Sequence, residues 1–122
     1  MAAVAVYVGG VGDGGQLAWA FEAPEVGHRA SGLVGGAEAG AIVGAYHGLL
    51  EALRWAWGMG YVNVLVHSSN GVFVSQMLEG VHGQGDEVQR LWWEAKQLEQ
   101  EFYRVSYFLL EQTNPLEASG PG

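Results

Sequence analysis

The run Glu38-Ala39-Gly40-Ala41-Ile42-Val43-Gly44-Ala45-Tyr46-His47-Gly48-Leu49-Leu50-Glu51-Ala52-Leu53-Arg54-Trp55-Ala56-Trp57 decides how the rest of the chain is read. Its bulky residues Ile42, Tyr46, Leu49, Leu53 and Ala56 recur at three and four positions and so share one helical face. Gly40, Gly44 and Gly48 stand four apart and form a second, smooth ridge. Each glycine costs a helix about 1 kcal/mol relative to alanine. Three in register predict a neighbour packed too closely for side chains.

Working outward, Gly58 and Gly60 end the helix, and Tyr61 to His67 reads as a strand. Three strand-like runs precede it. Residues 3–8 (Ala-Val-Ala-Val-Tyr-Val) predict a buried strand that enters a glycine-rich turn over residues 9–15. Gln16 to Phe21 alternates, with Leu17, Trp19 and Phe21 on one face. Pro24 and Gly27 turn the chain into a third strand, His28 to Val34. These three predict an antiparallel meander. Beyond the fourth strand, Ser69 or Asn70 caps a short helix reaching about Leu78. A loop from Gly80 to Gly85 leads to Asp86, which is expected to cap a longer helix. Val88, Leu91, Trp92, Ala95, Leu98 and Phe102 mark its buried stripe. Arg104 to Glu111 makes a fifth strand, and residues 113–122, with Pro115, Gly120 and Pro121, read as an irregular tail. The order βββαβααβ predicts one α/β domain over residues 1–122. Its mixed five-stranded sheet has three antiparallel N-terminal strands plus two parallel ones, with helices packed on it.

Composition narrows the function. A chain of 122 residues that is 49% hydrophobic has enough apolar material for a single core. With no cysteine, disulfides, thiolate metal sites and a cysteine nucleophile are excluded. No signal peptide is expected, because the N-terminus lacks a basic region and a cleavable apolar run. His47, Glu51 and Arg54 interrupt the apolar stretch 39–66, so a membrane span is not expected and a cytoplasmic location is the default. Thirteen acidic residues against five basic ones give a net charge of −8. The basic residues are Lys96, Arg29, Arg54, Arg90 and Arg104, few and scattered. Nucleic-acid affinity rests on neutralising phosphates with Lys and Arg, so such binding is expected to be weak or absent.

Four segments in order carry a resemblance. Val6-Tyr7-Val8-Gly9-Gly10 is similar to the first strand of the ribonuclease H family, whose pattern is hydrophobic-Tyr-Thr-Asp-Gly. Ala41 to Leu53, with Gly48-Leu49, resembles the family helix that begins at Glu and continues to Gly-Leu-x-x-Ala-Leu. Val64-Leu65-Val66-His67-Ser68-Ser69-Asn70 resembles the fourth strand with its Asp-Ser-Gln ending. Val105 to Glu111 followed by Asn114-Pro115-Leu116-Glu117-Ala118 resembles the last strand and the Asn-x-x-Ala-Asp opening of the final helix. The match is to the compact bacterial and archaeal type-one enzymes and runs to about Ser119. It implies a ribonuclease H-like fold whose C-terminal helix is truncated.

The resemblance also implies a nuclease that holds two Mg²⁺ about 4 Å apart between four carboxylates. Those four positions fall here on Gly9, Ala41, Ser68 and Ala118, and none is acidic. Hard divalent cations need oxygen ligands, so no metal site and no cofactor are expected. The family's basic hybrid-binding segment is missing too, since Gly80 to Glu87 carries only acidic charge and His82. Asp13, Glu38 and Glu117 are the nearest substitutes, and a rebuilt site needs all three to converge. The alternative is that they are caps and solvated charges.

The four histidines show no metal-ligand spacing. A Ser68–His67 pair is opposed by the alternation of a strand, which sends neighbours to opposite faces. The glycine loop 9–15 lacks the lysine and hydroxyl of a phosphate-binding loop. Trp55, Trp57 and Trp93 add to an aromatic excess that suggests a self-association surface, tryptophan being enriched in interface hot spots. The expectation is an inactive ribonuclease H-like protein with a structural or interaction role, forming a homo-oligomer. The alternatives are a residual metal-dependent RNA–DNA hybrid nuclease with relocated carboxylates and a non-catalytic nucleic-acid binder.

Overall fold

The computed structural model describes residues 2–13, 16–34, 40–81 and 85–110, with the side chains of residues 11–13 and 16 left aside. Within these the strands are β1 (Ala3–Asp13), β2 (Gln16–Ala23), β3 (His28–Val34), β4 (Asn63–Ser68) and β5 (Arg104–Leu109). The helices are α1 (Ala41–Gly58), α2 (Gly71–Glu79) and α3 (Asp86–Glu99). The sheet order is β3-β2-β1-β4-β5. The first three strands are antiparallel neighbours, and β4 runs parallel to both β1 and β5. This is the mixed sheet that the sequence predicts.

One face of the sheet takes all three helices. Val4, Val6 and Val8 of β1, Val64 and Val66 of β4, and Leu17 and Phe21 of β2 are buried there beneath Tyr46, Leu49, Leu53 and Ala56 of α1. α3 lies on α1 through Val88, Leu91 and Ala95. α2 packs Phe73 edge-on against Tyr46 (centroids 5.0 Å apart) and Tyr107 of β5 (6.4 Å).

The glycine ridge is real at two of its three positions. A Cβ on Gly44 would lie 2.6 Å from the Gly10 Cα and 2.9 Å from the Ala18 carbonyl oxygen. A Cβ on Gly48 would lie 2.6 Å from the Ala20 carbonyl oxygen. The close neighbour is therefore the backbone of β1 and β2. Gly40 is different: it is the extended N-cap of α1 and its Cβ would meet nothing.

β2 runs on to Ala23, β4 spans Asn63–Ser68 rather than Tyr61–His67, α3 ends at Glu99 short of Phe102, and β5 ends at Leu109 rather than Glu111. Three further differences matter more. β1 does not end at Val8 but continues through Gly9-Gly10-Val11-Gly12 to Asp13, pairing Gly10 with Trp19 and Asp13 with Gln16. These glycines are strand residues, and Gly10 has no side chain because α1 crosses there. α1 starts at Ala41 rather than Glu38, which lies outside the described residues. Gly85, not Asp86, is the N-cap of α3, while Asp86 and Glu87 occupy its first turn, where the helix dipole favours negative charge. Asn70 caps α2 as expected, its side-chain oxygen accepting the Phe73 N–H at 3.0 Å.

Candidate functional site

The site singled out in the sequence lies where β1, β4 and the start of α1 meet. Tyr7 pairs with His67, which sets Gly9 beside the C-terminal end of β4 at Ser68. The Ala41 carbonyl oxygen lies directly over Gly10. Gly9, Ala41 and Ser68 thus lie at the same end of the sheet, Gly9 and Ser68 on opposite faces of it, and their side chains contain no carboxylate. Around Gly9 a Cβ would have open space, with no atom within 4 Å. Ala41 is exposed. Ser68 is only 1% exposed, and its hydroxyl oxygen already accepts the Asn70 N–H at 3.2 Å. A bare Cα, a methyl and a committed hydroxyl do not fit a pair of hard divalent ions, which require several anionic oxygens.

Of the nearest substitutes, Asp13 ends β1 rather than sitting in a flexible turn, and its backbone is about 13 Å along the strand from Gly9. Glu38, Glu117 and the position Ala118 lie outside the described residues. Among the described residues no group of three or more His, Cys, Asp or Glu side chains converges.

Two histidines, His28 and His67, are engaged with rings, while His47 lies half-buried within α1. His28 stacks on Trp55 at 4.7 Å and 3°. His67 stacks between Tyr7 (4.7 Å, 17°) and Phe108 (5.0 Å, 22°) on the sheet face away from the helices. Ser68 faces the buried side, so the two neighbours do point apart as strand alternation requires. His82 lies outside the described residues. This three-ring row escaped the sequence reading because it depends on cross-strand register. The alternation of Tyr7, His67 and Phe108 against buried neighbours was its only signal.

Beside the Tyr7 ring a shallow groove of about 560 Å³ opens over Gly9 and Ala20, edged by Glu22, Arg29 and Ser31. On the opposite side of the molecule a second groove of about 460 Å³ runs between the C-terminal ends of α1 and α3, lined by Arg54, Trp57, Leu98 and Glu101. Trp57 is 59% exposed there, and Trp93 is 60% exposed one turn before Gln97 of the same groove. The other tryptophans are packed: Trp19 covers Gly32, Trp55 joins the His28 stack, and Trp92 donates its indole N–H to the Gln76 carbonyl at 3.0 Å.

A polar network ties the helices to β5. The Tyr46 hydroxyl donates to the Gln76 side-chain oxygen at 2.7 Å, and the Tyr107 hydroxyl donates to the Glu99 carboxylate. Lys96 donates to the Met77 carbonyl at 2.6 Å and sits 3.4 Å from Glu99. The chain's only lysine is thereby committed to structure. Burial raises the Tyr46 pKa, and burial, followed by the charge of Glu99, raises that of Tyr107.

A family model described as reverse transcriptase-like matches residues 14–115. No curated protein matches the chain. Solved structures are similar in fold. RNase H1 from the halophilic archaeon Halobacterium salinarum NRC-1 superposes with a TM-score of 0.74 at 17% identity, covering 91% of this chain and 87% of that one. The N-terminal RNase H domain of Rv2228c from Mycobacterium tuberculosis gives 0.75 at 19% identity, with 91% and 88% covered. LC11-RNase H1, solved in complex with an RNA/DNA hybrid, gives 0.75 at 17% identity, with 89% and 86% covered.

Proposed function

The chain belongs to the reverse transcriptase-like family, with a ribonuclease H-like fold, and within that family we propose that it is a catalytically inactive interaction protein. The observation that carries the reading is the composition of the strand ends. Gly9, Ala41 and Ser68 stand where the family's resemblance calls for carboxylates, with Ala118 as the fourth position, and none can anchor a metal. Two-metal hydrolysis depends on ions that activate water and stabilise the leaving oxygen. Without anionic ligands this end of the sheet has no means of supplying either.

The protein acts instead through its surfaces and associates with itself. Trp57 lines the groove between α1 and α3, and Trp93 stands one helical turn before Gln97 of that groove; each is more than half exposed. Burying them against a second copy removes large aromatic area from water, the usual basis of an interface hot spot. Nucleic acid is at most a weak partner, because the net charge is −8.

The hybrid held by LC11-RNase H1 favours one competing reading, a residual hybrid nuclease. Incubation with an RNA–DNA hybrid and Mg²⁺ or Mn²⁺ separates the two. The expected result is intact substrate. Cleavage that disappears in an Asp13→Asn, Glu38→Gln, Glu117→Gln triple variant would establish the nuclease with relocated ligands. Sedimentation tests self-association: a 13.0 kDa monomer at micromolar concentration opposes it, and a dimer lost in Trp57→Ala, Trp93→Ala supports it.

A further inference from the structure

The two edges of the sheet are finished differently. Beyond β5 the Leu110 N–H still donates to the Ser68 carbonyl at 2.8 Å, and α2 lies alongside through the Phe73–Tyr107 contact. At the other edge β3 pairs with β2 alone, in an unbroken register from His28 opposite Ala23 to Val34 opposite Leu17. Among the described residues no strand pairs with its outer side. The chain resumes at Gly40 and Ala41 over Gly10 of β1, two strands inward. β3 therefore turns a row of backbone N–H and C=O groups outward. Such edges are usually guarded by lysine, proline, a bulge or short length. This one has seven residues, no lysine, no proline and no bulge, and its Leu33 is 72% exposed.

These residues are complementary to a second copy of themselves. Antiparallel pairing about a two-fold axis at Ser31 sets Ser31 against its mate, Ala30 against Gly32, Arg29 against Leu33 and His28 against Val34. No like charges meet, because the two Arg29 residues lie about 14 Å apart along the strands. Glu22 stands directly opposite Arg29 on β2, so the edge has no local excess of charge in a chain of net charge −8. The two Ser31 hydroxyls face each other, an arrangement that hydrogen-bonds across strands. The aliphatic stem of Arg29 covers Leu33 of the other copy. On the helix side the Trp19 indole lies over Gly32, half-buried at the rim of the core. The axis brings the two Gly32 residues to about 8 Å, so both indoles come within reach of one another.

We propose that two copies of the chain join β3 to β3 in this register, merging their five-stranded sheets into one. The contact shares no residue with the groove between α1 and α3. Seven residues of backbone pairing make a small interface, so it forms above micromolar concentration.

This inference rests on the reading of the chain as self-associating but on different residues, so the groove and the edge fail separately. The chain has no cysteine, and single introduced cysteines therefore report the register. Facing residues of an antiparallel pair have Cα atoms about 5 Å apart, within the range a disulfide bridges. At about 0.1 mM protein under mild oxidation, Ser31→Cys should link to itself at least about tenfold faster than Leu33→Cys does. Arg29→Cys and Leu33→Cys should each link slowly to themselves and readily to one another. Adding Leu33→Lys to Ser31→Cys sets a cation against Arg29 and should slow linking about tenfold. A further Arg29→Glu should restore it, with an unchanged circular dichroism spectrum throughout. Trp57→Ala, Trp93→Ala should leave linking as it is. Equal self-linking of Leu33→Cys and Ser31→Cys, indifference to Leu33→Lys, or linking lost with the two tryptophans would each overturn the proposal. So would no linking at all, the result if residues 111–122 or a foreign strand take the edge.

Discussion

Gly9 and Gly10 are consecutive residues of one strand, yet they stand in opposite situations. Gly10 faces α1, where any Cβ would run into the Ala41 carbonyl and lie 2.7 Å from the Gly44 Cα. Gly9 faces away from the helices, where a Cβ would touch nothing. Gly10 is demanded by packing, and Gly9 is not. A side chain at Gly9 is therefore not excluded by packing. The helix-packed side of the sheet leaves no room for a side chain at Gly10, while the other side has room at Gly9.

The largest expected effect breaks the packed side. Gly44→Val forces side-chain atoms into the backbones of β1 and β2, which cannot retreat singly, so a loss of about 3 kcal/mol or more is expected in denaturant titration. A loss under about 0.5 kcal/mol would mean that α1 slides freely over the sheet. Next comes Tyr107→Phe, which strips the Glu99 carboxylate of its hydroxyl donor beside Lys96. About 1–2 kcal/mol is expected by the same measurement.

The alkaline limb of stability is a smaller, pH-dependent form of the same test. Tyr46 and Tyr107 hold their protons more tightly folded than unfolded, because burial penalises the phenolate. The unfolded chain therefore releases protons first as pH rises past about 10. Stability is complete below that value and falls above it. Tyr107→Phe should flatten the fall. The smallest effect belongs to the open side: Gly9→Ala should change stability by less than about 0.5 kcal/mol, or raise it slightly by removing a flexible strand glycine. Gly9→Asp should also fold, checked by thermal melting.

Much of this was legible in the residues. The three-and-four spacing of Ile42, Tyr46, Leu49 and Leu53, flanked by strand patterns, suffices for the helix on the sheet, and Gly44 and Gly48 announce the close contact. The Gly9-Gly10-Val11-Gly12 run misled because glycine's common use is in turns, whereas here pairing with β2 makes it a strand and the crossing of α1 requires the glycine at position 10. The absence of carboxylates at Gly9, Ala41 and Ser68 could be read from residue identity. The Tyr7–His67–Phe108 row could not, since it joins residues from strands distant in sequence, and a one-residue slip in register would scatter them across both faces.

The most direct test of the account is Mn²⁺ binding by the intact chain, followed through the paramagnetic resonance signal of the free ion. With no anionic ligands at the strand ends the free signal should persist, with no site tighter than about 1 mM. Two ions bound tightly, and released by Asp13→Asn, Glu38→Gln and Glu117→Gln together, would contradict it.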